Sequence, residues 1–141
     1  MKRTVVIADD DPNVVSLVKL RLGMARYDVC ATGDAVAAVA LVRTQEPVAV
    51  ILDVDMPGGG GLSALARIKT DPHTRDLPVM MLTGERSTEV VLSAMEKGAD
   101  DYMVKPFDPD TLLERVSRLV KSSRMVWDYT AQPATAQVWE L

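Results

Sequence analysis

Apolar runs and short polar interruptions alternate along the first 106 residues. Residues 5–8, 48–52 and 79–82, and the shorter 102–104, are continuous apolar runs of the kind that form strands buried on both faces. Residues 27–31 read as one more strand. The segments between them carry a helical period. Asp11 can cap a helix with Pro12 at its first position, Val15, Val18 and Leu22 on one face, and Gly23 at its stop. Asp34 caps a second helix carrying Val36, Val39 and Ala40 and ending before Pro47. After a loop with Pro57 and the glycines 58–61, Leu62, Leu65 and Ile68 mark a third. Pro78 opens the fourth strand, Val91 and Met95 define the inner face of a fourth helix, and Gly98 closes it. Asp108 and Pro109 start a fifth, with Leu112, Val116, Leu119 and Val120 inward. Five strand–helix units predict an α/β protein with a doubly wound parallel sheet, helices on both faces and right-handed crossovers.

This alternation fails from Arg124 onward. Residues 124–141 have no clear period, contain Pro133, and hold Trp127, Tyr129 and Trp139. The expectation is a domain over residues 1–123 followed by a loosely held tail or linker. Of the two indoles, Trp127, nearer the fifth helix, is expected to be the more protected.

Polar residues close each apolar run, and the carboxyl ends of parallel strands share one edge of the sheet, where ligands bind. Asp9, Asp10 and Asp11, then Asp53 with Asp55, then Thr83, then Lys105 with Pro106, should therefore converge on one rim. Magnesium favours one or two carboxylates, water and a substrate phosphate, which Asp10 and Asp53 would supply, with Asp9 acting through water. Without a cation, two such charges about 4 Å apart repel by on the order of 4 kcal/mol at an effective dielectric of 20. A carboxyl pKa in the empty site should then be raised. Asp53 is a competent nucleophile toward phosphorus, Lys105 would neutralise phosphoryl oxygens, and Thr83 offers a hydroxyl, with Gly84 leaving room for the group to enter. A rigid or cis turn at Pro106 would hold the ammonium in register.

Composition narrows the classes. The chain has 141 residues, enough for one domain with a full core, and 48% hydrophobic residues. A net charge of −4 without a Lys/Arg cluster argues against a nucleic-acid surface. Cys30 is the only cysteine, which excludes an intramolecular disulfide or thiol metal site and fits a reducing cytoplasm. No apolar run approaches the roughly 20 residues that cross a bilayer, and the leading one is too short for a signal peptide. The lone His73, in a loop rich in Pro and Thr, reads as a surface residue.

The stretches 6–12, 52–57 with Gly61 and Leu62, 81–84 and 98–107 together resemble the receiver domains of two-component response regulators, over residues 3–122. The resemblance implies a flavodoxin-like (β/α)5 fold with strand order 2-1-3-4-5. It implies that Asp53 accepts phosphate from a sensor histidine kinase or histidine phosphotransfer protein. Magnesium, or manganese, would be held by Asp9, Asp10, Asp53 and the backbone carbonyl of Asp55. Thr83 and Lys105 would bind the phosphate, and Thr83 and Tyr102 would rearrange when it arrives. Such a domain is a phosphoacceptor that catalyses only its own phosphorylation and dephosphorylation, without contact to nucleic acid or membrane. Its partners would be a downstream protein or an attached output domain, and a phosphorylation-dependent homodimer is compatible with the pattern.

This chain departs from the pattern at Gly58, Gly59 and Gly60, where side chains are usual, so the loop is expected to be mobile. Asp55 and Glu85 add negative charge beside the phosphate position. Two rival readings use the same groups. A phosphatase of the haloacid dehalogenase type would place its Asp-x-Asp motif after the first strand, whereas Asp53 and Asp55 follow the third. An inert binding module would not need the full set of acids, hydroxyl and lysine.

Overall fold

The computed structural model describes residues 3–84 and 88–127. The expectations on Glu85, Tyr129, Pro133 and Trp139 fall outside the described residues. Among the described residues ten elements alternate in order: β1 (Thr4–Ala8), α1 (Pro12–Met24), β2 (Asp28–Thr32), α2 (Ala35–Gln45), β3 (Ala49–Asp53), α3 (Gly60–Thr70), β4 (Val79–Thr83), α4 (Thr88–Glu96), β5 (Asp101–Val104) and α5 (Pro109–Ser122). The strands form one parallel sheet ordered β2-β1-β3-β4-β5, the flavodoxin-like arrangement. β1, β3 and β4 are buried throughout, while the edge strands β2 and β5 are partly open. This is why only the central runs are wholly apolar.

One sheet face packs Val6, Val50, Leu52 and Met81 against α2, α3 and α4. The other packs Val5, Ile7, Ile51, Met80 and Leu82 against α1 and α5. The caps at Asp11, Asp34 and Asp108 form as their spacing predicts, each side chain accepting a backbone N–H at 2.9–3.1 Å.

Several assignments need correction. Strands β2 and β3 run one residue later than the apolar pattern suggests, because pairing continues through Thr32 and Asp53. Helix α1 passes Gly23 and ends at Met24, and the left-handed residue after it is Arg26 (φ 70°). In α2 Val36 is 55% exposed and Ala40 is also outside; the buried stripe is Ala35, Ala38, Val39 and Val42, small residues that let the helix lie close to the sheet. In α4 the buried residue is Ala94, with Val91 half-buried and Met95 44% exposed. Apart from these differences, two backbone bonds flank the glycine loop: Gly61 N–H donates to Val54 O at 2.8 Å, and Ala35 N–H donates to Pro57 O at 2.9 Å.

Residues 123–127, the described part of the chain after α5, turn back onto the domain. The Trp127 indole N–H donates to the Pro47 carbonyl at 2.9 Å, and Met125 and Trp127 pack against the α2–α3 side of the core. Trp127 is thus half-buried, and bonding its N–H lets so large a ring leave water.

Candidate functional site

Strand β1 delivers Asp9 and Asp10, β3 delivers Asp53, β4 delivers Thr83, and β5 is followed by Lys105. All lie at the carboxyl edge of the sheet. Asp9 and Asp53 are buried and Asp10 is exposed, and carboxylate oxygens of the three lie within 4.8 Å of one another. Lys105 reaches in from the far side, its Nζ 2.8 Å from Asp9 Oδ2 and 3.3 Å from Asp53 Oδ1. The peptide bond between Lys105 and Pro106 is cis, and Lys105 N–H donates to Thr83 O at 2.8 Å. Thr83 is almost fully buried, whereas Tyr102 on β5 is 37% exposed. Asp55 is exposed, and its N–H approaches Asp53 Oδ1 at 3.4 Å.

These oxygens fit a divalent cation. Asp9 Oδ1 is occupied by the Asp11 N–H at 2.9 Å. Asp9 Oδ2 is close to the ammonium, but the contact lacks the alignment of a hydrogen bond, so this buried oxygen keeps lone-pair capacity. The short distance makes the charge pairing real, and the misalignment leaves a direction open for a cation. A hard, all-oxygen donor set of this kind suits magnesium or manganese.

Burial, and then the neighbouring Asp9 charge, push the Asp53 carboxyl above its ordinary value; Lys105 and the Asp55 N–H oppose this without cancelling it. The expected rise is therefore present, with desolvation ahead of charge repulsion as its cause. Burial lowers the Lys105 ammonium, but the close approach and charge of Asp9 and the charge of Asp53 outweigh it, and its net shift is upward.

A raised Asp53 pKa means that the folded, metal-free protein holds this proton more tightly than the unfolded chain. Stability should fall as pH rises from about 3.8, the ordinary value, through the folded pKa. Asp53→Asn stays neutral and is expected to be more stable than the parent at pH 7 in EDTA. The gap should close as pH falls toward 3.8. Urea midpoints across that range check this; a variant less stable than the parent at pH 7 contradicts it.

Two backbone approaches at this rim are not foreseen from residue types alone. A Cβ at Gly61 would run into the Asp53 carbonyl, so only glycine fits where α3 begins beneath the acid. The turn between β2 and α2 also reaches the site: a Cβ at Gly33 would lie 3.3 Å from Asp10 Cα. A sequence signal existed for this turn, since Asp34 follows the end of a strand at the same sheet edge.

The sequence profile of the response regulator receiver domain matches residues 5–117. The chain is 37% identical to the DNA-binding dual master transcriptional regulator RpaA of Synechocystis sp. over 117 residues, 83% of this chain and 48% of that protein. It is 31% identical to the phosphate regulon transcriptional regulatory protein PhoB of Pseudomonas aeruginosa over 119 residues, 84% of this chain and 52% of that protein. The chain thus spans about half the length of these curated relatives. Among solved structures, the chemotaxis protein CheY4 of Vibrio cholerae superposes with a TM-score of 0.79 at 29% identity, covering 84% of this chain and 99% of that one. The receiver domain of the Francisella response regulator 1452 does so at 0.78 and 30%, covering 85% and 98%.

Proposed function

The chain belongs to the family of response regulator receiver domains and functions in phosphorelay signalling; on that premise we propose that Asp53 is its phosphoacceptor. The observation that carries this is the buried Asp53 carboxylate, gathered with Asp9 and Asp10 and reached by the Lys105 ammonium at 3.3 Å.

A sensor histidine kinase or histidine phosphotransfer protein would supply phosphohistidine. An Asp53 carboxylate oxygen attacks phosphorus, the P–O bond forms as the P–N bond breaks, and the released imidazole takes up a proton. Asp9, Asp10, Asp53 and the Asp55 carbonyl would hold Mg2+ or Mn2+. Such a cation, when bound, supplies positive charge and orientation to the phosphoryl oxygens. Lys105, already poised between Asp9 and Asp53, neutralises a further oxygen. Hydrolysis of the acyl phosphate at the same site returns the domain to its resting state. The proposed setting is the cytoplasm, where the free thiol of Cys30 is at home. Among the described residues no helix is long and apolar enough to cross a membrane.

Incubation with acetyl phosphate and Mg2+ should add one phosphoryl group, read as intact mass, and EDTA should prevent it. Undiminished labelling in EDTA contradicts the metal assignment. Repeated release with net consumption of acetyl phosphate, and no stable adduct, would instead favour a phosphatase.

The output proposed is a change in the face formed by α4, β5 and α5, where Leu92, Met95 and Tyr102 are exposed. Buried Thr83 at the end of β4 would donate to a phosphoryl oxygen, and Tyr102, paired through Met81 on the same strand, would turn into the vacated space. A hydrogen bond to a charged group, about 1.5–3 kcal/mol, shifts two populations about 10- to 150-fold. Thr83→Ala should still accept phosphate yet lose most beryllofluoride-induced amide shifts in α4. Shifts equal to the parent's contradict the coupling. The face would be read by a separate protein, an attached output domain of the kind implied by the names of RpaA and PhoB, or a second phosphorylated copy. The receiver itself would touch neither nucleic acid nor membrane.

A further inference from the structure

We propose that the β2–α2 turn is a brace that positions the acceptor loop and with it the cation-binding carbonyl of Asp55, its backbone holding the loop while the lack of a side chain at Gly58 lets the loop close over Asp34. This rests on the reading that the rim binds a divalent cation beside Asp53.

Two arms of the brace are visible. On one side Gly33 packs against the backbone of Asp10, a Cβ there being 3.3 Å from Asp10 Cα. On the other side Ala35 N–H donates to Pro57 O at 2.9 Å, two residues beyond Asp55. Between these arms the Asp34 carboxylate occupies the space where a side chain at position 58 would go: a Cβ on Gly58 would lie 2.9 Å from Asp34 Oδ2 and 3.0 Å from Oδ1. The loop therefore approaches as closely as it does because residue 58 has no side chain, and Gly58 also takes a positive φ of 82°.

Asp34 is the less yielding partner. Its Oδ1 accepts the Ala37 N–H at 2.9 Å as the cap of α2, and its own N–H approaches Thr32 Oγ1 at 3.4 Å. The loop facing it exposes Pro57, Gly58 and Gly59. It is closed at its base by Gly61 N–H donating to Val54 O at 2.8 Å. A side chain at 58 should thus push the loop outward, pulling Pro57 from Ala35 and carrying the Asp55 carbonyl away from Asp9, Asp10 and Asp53. The β2–α2 turn holds two parts of one ligand set, Asp10 and Asp55, at a fixed separation.

The test uses Gly58→Asn, because asparagine tolerates a positive φ better than other side chains and isolates the steric contact. Asp34→Ser keeps a helix cap but shortens the side chain. Calorimetric titration with Mg2+, the rate of acetyl-phosphate labelling and thermal unfolding are measured for the parent, both single variants and the double variant. Gly58→Asn is expected to weaken Mg2+ binding about tenfold, the lower end of what lost support around a metal ligand usually costs. Asp34→Ser alone should stay close to the parent, and the double variant should recover most of the lost affinity. Gly58→Asn with parental Mg2+ affinity and a lowered Tm would mean that the helix cap yields instead, and overturns the brace. Weakened binding that Asp34→Ser fails to restore overturns it too, by showing that the contact is not the cause. A parent that is folded yet takes up neither Mg2+ nor phosphate overturns the underlying reading of the rim, and the brace with it.

Discussion

Asp53→Asn is expected to take up no phosphoryl group from acetyl phosphate in Mg2+, with a labelling rate lowered by roughly a thousandfold or more, as removal of a covalent nucleophile commonly does. The amide oxygen carries no charge and is a poor nucleophile, so the O–P bond cannot form at a useful rate. The neighbouring carboxylates are not equivalent replacements. Asp9 accepts the Asp11 N–H through Oδ1, while its Oδ2 lies 2.8 Å from the Lys105 ammonium and is the oxygen left open to a cation. Asp10 is exposed on the outer side of the cluster, where its hydrated carboxylate lacks the flanking ammonium. The same substitution should raise stability in EDTA, so the loss of labelling cannot be assigned to unfolding. A variant that gains the same mass at the parent's rate contradicts Asp53 as acceptor.

Lys105→Met carries the second large effect. Its ammonium lies 2.8 Å from Asp9 and 3.3 Å from Asp53, whose side chains are 0% and 5% exposed. Removing it leaves two buried carboxylates facing each other without a cation. Loss of one partner from a buried pair costs about 3–5 kcal/mol; because the Lys105 side chain is 22% exposed, about 2–3 kcal/mol is expected at pH 7 in EDTA. The parent's advantage should be present from neutral pH up to 10.5, the ordinary lysine value, and fade as pH rises through the raised folded value. It should also shrink in acid, as the Asp53 carboxylate with its raised pKa protonates, and on addition of Mg2+, which replaces part of the missing charge. Urea titrations with and without Mg2+ check this. A loss of stability that neither acid nor Mg2+ reduces would mean that lysine acts through packing and not through charge.

Much of the site was legible because a parallel sheet collects strand ends. Once residues 5–8, 48–52 and 79–82 read as buried strands, Asp9, Asp53 and Thr83 had to meet at one edge, and the structure places them there. Lys105 followed from the shorter fifth run. The helix faces were less legible where small residues carry them. Alanine fits either side of a helix, so Ala35, Ala38 and Ala94 gave no direction, and the larger Val36 and Met95 drew the eye to the exposed side. Backbone approaches were hidden for a different reason. Gly61 beneath the Asp53 carbonyl and Gly58 against Asp34 are conditions on space between distant segments, and the run of glycines reads equally well as looseness. The return of Trp127 to Pro47 likewise depends on a partner 80 residues away.

The most direct test of the central claim is chemical trapping of the modified residue. Borohydride reduces an aspartyl phosphate to homoserine, releasing phosphate, while free carboxylates are untouched. After labelling with acetyl phosphate and Mg2+ and then reduction, trypsin should release residues 44–67 as one peptide and residues 4–19 as another, since Arg3, Lys19, Arg43 and Arg67 are the flanking cleavage sites. Fragmentation is predicted to place homoserine at position 53 alone. Homoserine at Asp9, Asp10 or Asp55, or its absence from a protein that has gained the mass of one phosphoryl group, would contradict the account.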